Sequence, residues 1–198
     1  MPTPRKSSTQ SRRDLRTKCG TSQDLAQQER TIVAGGSYGV DAAAHRSALA
    51  GGGGTIAVLA GGIDRPYPRG NSDLLARIGD LGVLASEAPP GATPTRWRFM
   101  ARARLLGALS GATVIPEAGF RSGSLLVATE AHRHSRAVGA VPGPVTSAAS
   151  VGPHELIKRG RLSCTGLVPQ SLEHRCGVFG DLGLSGQLLV ADTDRDFS

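Results

Sequence analysis

Three groups of residues in this chain have the types and spacing that binding chemistry needs. The first is Gly35-Gly36-Ser37-Tyr38-Gly39. Its glycines can take positive φ and admit another group close to the backbone. Free N–H groups at the start of the helix predicted over Val40–Ala50 form a ready anion site beside it. The second is Ser122-Gly123-Ser124, opening a helix predicted over Leu125–His134, where hydroxyls would add donors for a phosphate. Each has a plainer reading that stays open: a tight turn for the glycines, an N-cap for Ser122 or Ser124. The third is Arg96-Trp97-Arg98-Phe99-Met100 with Arg102 and Arg104, four arginines and two aromatics within nine residues. Guanidinium forks suit phosphates and aromatic faces suit unpaired bases. Alternatively Trp97 and Phe99 are core residues and the arginines a solvated rim.

Asp41 and His45 stand at i, i+4 on one helix face and have the form of an acid–base dyad. No nucleophile or metal cluster accompanies them, which favours a local hydrogen bond near the glycine loop. Cys19, Cys164 and Cys176 are too few and too scattered for a disulfide framework or a zinc knuckle, and are expected to be reduced thiols. The pattern therefore names no catalytic residues, no metal and no cofactor.

The elements that must hold these groups are legible in the hydrophobic pattern. At 198 residues the chain suits one domain with tails, and a hydrophobic content of 39% with only 4% aromatics requires a core of Ala, Val, Leu and Ile. A net charge of +7 points to a polyanionic partner, nucleic acid first. No apolar run reaches the length of a membrane span and no secretory signal opens the chain, so the cytoplasm is the expected compartment. Buried strands are predicted at Ile32–Ala34, Thr55–Ala60, Gly82–Ser86, Ala112–Pro116 and Ala137–Val141. Helices are predicted at Val40–Ala50, Asn71–Leu81 (capped by Asn71 or Ser72), Ala101–Ser110, Leu125–His134 and His154–Arg159. This alternation specifies an α/β fold, a doubly wound and mostly parallel sheet covered on both faces. Residues 1–30, with seven Lys or Arg against three acids, read as a basic, disordered tail. Residues 31–162 form the domain, and residues 163–198 a tail to which the pattern assigns no structure.

Taken in order, several segments resemble the DprA/Smf family of bacterial DNA-processing proteins. They are Val33-Ala34-Gly35-Gly36 through Gly39-Val40-Asp41-Ala42-Ala43-Ala44-His45, then Ala57-Val58-Leu59, Gly62-Ile63-Asp64 and Tyr67-Pro68. Ser86-Glu87, Phe99, Arg102, Arg104 and Leu109-Ser110 follow, then Glu117-Ala118, Ser122-Gly123-Ser124-Leu125, Ala140-Val141-Pro142-Gly143, and Leu156-Ile157 with Gly160. The set covers residues 31–162; any one motif alone is weak, but the ordered set is specific. The resemblance implies a Rossmann-like domain that binds single-stranded DNA without sequence preference. It further implies a non-enzymatic role, loading a RecA-type recombinase onto incoming DNA during natural transformation, and pairing into a homodimer. On this reading Gly35, Gly36, Ser37, Gly39, Arg98, Arg102, Arg104, Ser122, Gly123 and Ser124 cradle phosphate and backbone.

The sequence departs from the family pattern in places. The family's first strand and Gly-x-Arg loop are expected ahead of residue 31, and Met1–Arg30 contains nothing like them. Arg-Asn-Arg becomes Arg102-Ala103-Arg104, Tyr38 stands where an arginine is common, and His154 replaces an expected Asn. These differences suggest a truncated member whose strand Ile32–Ala34 has an open, dimerising or aggregating edge. Two other functions compete: an inactive remnant, and a Rossmann-type enzyme cleaving nucleoside monophosphates. The enzyme would need a Pro-Gly-Gly-x-Gly-Thr loop, which Pro142-Gly143-Pro144 does not supply, and Glu117 lacks the partner motif.

Overall fold

The computed structural model describes residues 30–163 and 186–190. The expected tails lie outside these residues except at Arg30, Ser163 and the segment 186–190, and so do the three cysteines.

Short β-branched and alanine-containing runs form the strands β1 (Ile32–Gly35), β2 (Thr55–Val58), β3 (Val83–Ala85), β4 (Ala112–Glu117), β5 (Ala137–Ala140) and β6 (Leu162–Ser163). Between them run the helices α1 (Val40–Ala50), α2 (Ser72–Leu81), α3 (Arg96–Leu109), α4 (Gly123–Arg133) and α5 (Val151–Lys158). A last strand, β7, spans Gly186–Val190. The sheet order is β3-β2-β1-β7-β4-β5-β6. Neighbours on either side of β7 are parallel, and β7 itself runs antiparallel to both β1 and β4. The order reverses between β1 and β4, as in other doubly wound sheets, so the ends of those two strands define a crevice.

This topology overturns one expectation. β1 is not an edge strand: Ile32 and Val33 pair with Val190 and Leu189 of β7, and all four β1 residues pair with β2. Backbone groups expected to be unpaired therefore have partners, and the argument for association through that edge falls away. Nothing local in the sequence marks β7, whose partners lie far away along the chain. Its register against β4 shifts between Val114 and Glu117, where Pro116 has no N–H to give the ladder.

Both sheet faces are covered, as the pattern requires. Val33 and Val58 pack under Ala103 and Leu106 of α3 and Val127 of α4 on one face. Ala57 and Leu59 meet Ala42 of α1 and Leu74, Leu75 and Ile78 of α2 on the other. Burying each larger aliphatic contributes about 1.5–3 kcal/mol. Alanines fill the rest of α1, and α1 keeps the predicted bounds because good helix formers run from Gly39 to Gly51.

Helix α3 begins five residues before the prediction. Thr95 caps it, its Oγ1 accepting from the Arg98 N–H at 3.3 Å, so Arg96–Met100 is part of the helix. The cap predicted for α2 is absent: neither Asn71 nor Ser72 caps it, Ser72 bonding instead to the Arg69 carbonyl at 2.7 Å.

Candidate nucleic-acid interface

The crevice at the switch point holds a cavity of about 230 Å³. Ser37 and Asp41 line it from the β1 side, Phe99 and Arg102 from α3, and Ser122-Gly123-Ser124 from the start of α4. The two glycine–serine segments, 85 residues apart between Ser37 and Ser122, thus share one space.

The glycine loop divides between structure and site. Gly39 adopts φ 89°, which L-residues disfavour, and so turns the chain into α1. A Cβ on Gly36 would lie 3.1 Å from Leu59 and 3.2 Å from the Tyr67 carbonyl oxygen. A Cβ on Gly35 would lie 2.7 Å from both the Arg102 Nη1 and the Asp41 Oδ2. Packing and turn geometry therefore account for these three glycines, and Ser37 is the loop residue that faces the cavity.

The loop is tied down from three sides. The Ser37 N–H donates to Asp41 Oδ2 at 3.1 Å. Asn71 Nδ2 donates to the carbonyls of Gly36 at 2.9 Å and Ser37 at 3.1 Å, which is its role in place of the expected cap. Tyr38 Oη accepts from the Gly70 N–H at 3.1 Å. His45 is fully buried and contacts the Gly35 carbonyl through Nε2 at 2.9 Å and Thr55 Oγ1 through Nδ1 at 2.7 Å. Both ring nitrogens are engaged, and neither bonds Asp41. The dyad reading fails, and the local-structure reading stands with different partners. Burial pushes the imidazole below its ordinary pKa, opposed by the Gly35 bond and the Asp41 charge.

At α4, Ser122 is an N-cap, its Oγ accepting from the Ser124 N–H at 3.3 Å and donating to Ser124 Oγ at 3.2 Å. Ser124 and the helix start remain on the cavity wall. A Cβ on Gly123 would meet nothing within 4 Å, so no packing requires this glycine.

The arginines separate. Arg102 reaches the cavity, held by the Val58 carbonyl at 3.3 Å and by the Phe99 ring at 5.1 Å. Burial lowers its pKa and the Asp41 charge raises it; its Nε has no acceptor among the described residues. Arg104 points elsewhere and forms a two-oxygen pair with Glu87 at 2.5 and 2.7 Å. Arg98 donates to the Thr93 carbonyl at 2.6 Å and does not line the switch-point cavity. Trp97 and Phe99 are not core: they are 74% and 36% exposed, and Phe99 meets Tyr67 edge-on at 6.2 Å. His154 donates to the Gly143 carbonyl at 3.0 Å and braces the Pro142–Pro144 loop. No group of His, Cys, Asp and Glu able to hold a metal occurs among the described residues, and no described helix is long and apolar enough to cross a membrane.

A doubly wound sheet with hydroxyls, a helix start and a half-buried guanidinium facing one crevice defines an α/β protein whose switch point gathers hydrogen-bond donors around one cavity. Residues 5–170 match the model of the family described as DNA recombination-mediator protein A, and the chain belongs to that family. It is 54% identical over 136 residues to a putative DNA processing protein DprA of Mycobacterium tuberculosis, covering 69% of this chain and 35% of that relative. The chain thus spans about a third of that relative's length. Its fold is similar to DNA processing protein A from Streptococcus pneumoniae, with a TM-score of 0.73 and 35% identity over 82% of this chain and 56% of the other. It is likewise similar to the Helicobacter pylori protein, described for its single-stranded DNA binding mode, with a TM-score of 0.70 and 29% identity over 82% and 72% of the two chains.

Proposed function

We propose that this chain binds single-stranded DNA without sequence preference, seating a backbone phosphate in the switch-point cavity. The observation that carries this is the convergence of Ser37, Arg102 and Ser122-Gly123-Ser124 on one space of about 230 Å³. Ser124 Oγ, the α4 start and Arg102 supply donors. The buried Asp41 offsets the Arg102 charge, so neutral donors and the helix start carry much of the attraction. Exposed Phe99 and Tyr67 lie beside the cavity as stacking faces, which accept any base. Membership of a DNA-processing family and the Helicobacter relative's described binding mode support the reading.

On the same reading the chain is a binding module and not an enzyme. It acts in the cytoplasm, as a homodimer, by loading a RecA-type recombinase onto the strand. The test is fluorescence anisotropy of a labelled oligothymidylate against protein at several salt concentrations. Binding that weakens with salt by about 0.7 log unit per neutralised phosphate supports it; no binding at low salt refutes it. Loading is tested separately, by recombinase assembly on a strand already coated with single-strand-binding protein. Sedimentation of the full chain gives the oligomeric state.

A further inference from the structure

Helix α3 has a second concave face. Beside the phosphate cavity lies a depression of about 330 Å³, floored by Leu59 and Ala60 after β2 and by Ala101 and Leu105 of α3. Ala88 and Pro89 close it on the side of the β3–α3 loop, and Trp97 stands at its mouth. Trp97 is the chain's one tryptophan and is 74% exposed. Arg102 belongs to the walls of both spaces, so one side chain borders each of them. The charged groups around the depression are fixed in place: Arg98 by the Thr93 carbonyl, and Glu87 by Arg104. They frame the opening and do not fill it.

An apolar floor and an exposed indole, with Arg98 and Arg102 on the wall, describe a flat, aromatic ligand bearing hydrogen-bond acceptors. The volume is at the low end for small-molecule sites, roughly 300–1,000 Å³, which suits one ring system better than a helix. The shared Arg102 wall makes the depression a direct neighbour of the phosphate cavity. We propose that this depression receives one nucleobase of the strand whose phosphate lies at Ser122-Gly123-Ser124, stacked on Trp97. This rests on the single-strand reading above and adds to it a base-binding pocket that Phe99 does not line.

Trp97 is its own reporter. The full chain is titrated with oligothymidylate and with an abasic oligomer of equal length, which keeps every phosphate and removes every base. Tryptophan emission and the anisotropy of a labelled end are read together. The expected result is quenching by the thymidylate and little by the abasic strand, which still binds. Trp97→Ala weakens thymidylate binding by roughly 5- to 150-fold, the worth of one stacked base, and leaves abasic binding unchanged; Trp97→Phe restores most of the loss. Ala101→Leu, which fills the depression and keeps the indole, abolishes the quenching. Unchanged emission during normal thymidylate binding, or equal quenching by both strands, overturns the pocket and leaves the single-strand reading standing. Absence of binding by either strand overturns both.

Discussion

His45 bonds the Gly35 carbonyl through Nε2 at 2.9 Å, joining the middle of α1 to the last residue of β1. Its Nδ1 lies 2.7 Å from Thr55 Oγ1, so the same ring also holds the start of β2. With Nε2 donating to a carbonyl, neutral imidazole leaves Nδ1 an acceptor for the Thr55 hydroxyl, which also has the Ile32 carbonyl at 3.3 Å as an acceptor. A second ring proton would place a charge in a site with no solvent exposure.

The pH dependence of stability follows. Burial depresses the folded-state pKa of His45 below the ordinary value of about 6.5. Between the depressed and the ordinary value the unfolded chain binds the extra proton. Stability is therefore complete above about pH 6.5 and declines as pH falls toward the folded-state pKa, by at most about 1.4 kcal/mol per pH unit. Thermal melts from pH 8 to pH 5 should show this decline, and His45→Gln should remove the part due to this residue. A variant with the same pH slope as the parent would show that His45 is not responsible.

Asn71 acts on the loop and not on the helix it precedes. Asn71→Ala leaves the carbonyls of Gly36 and Ser37 without their donor, at a cost of about 1–3 kcal/mol. In a chain of this size that lowers the melting temperature by about 2–4 °C per kcal/mol. A calorimetric melt checks it: a shift below 1 °C would mean the loop is held without Asn71.

The two arginines of Arg102-Ala103-Arg104 should behave differently. Arg102→Ala removes the cation on the cavity wall and should weaken single-strand binding roughly tenfold or more, hydrogen bonds to charged groups contributing about 1.5–3 kcal/mol. The salt slope should drop by about 0.7. Arg104→Ala should change neither by a comparable amount, because Arg104 is paired with Glu87 away from the cavity. Anisotropy at four salt concentrations separates them; equal losses would contradict the assignment.

Much of this fold is legible in the sequence because its strands are short buried runs and its helices carry their own periodicity. Leu74, Leu75 and Ile78 of α2 are buried as the spacing requires. What the sequence hides depends on tertiary partners. The first turn of α3 carries exposed residues on most sides, so no apolar stripe marks it, and Thr95 was the available signal. Asn71 has the chemistry of a cap, and only the proximity of the glycine loop redirects it. The two hydroxyl–glycine segments are readable one at a time, but their meeting in one cavity follows from strand order. β7 lies beyond a stretch of weak patterning, and its insertion between β1 and β4 leaves no local mark.

Gly123 gives the most direct test of the central claim, that a strand's phosphate sits at the start of α4. Open space surrounds the position a Cβ would take, so a side chain there costs the fold little and occupies the cavity mouth. The measurement is oligothymidylate affinity of Gly123→Val and the parent chain at one low salt concentration, with circular dichroism melts of both. The account predicts unchanged melts and an affinity at least tenfold weaker. Equal affinity with an intact fold would contradict it, leaving Ser122-Gly123-Ser124 a helix cap alone.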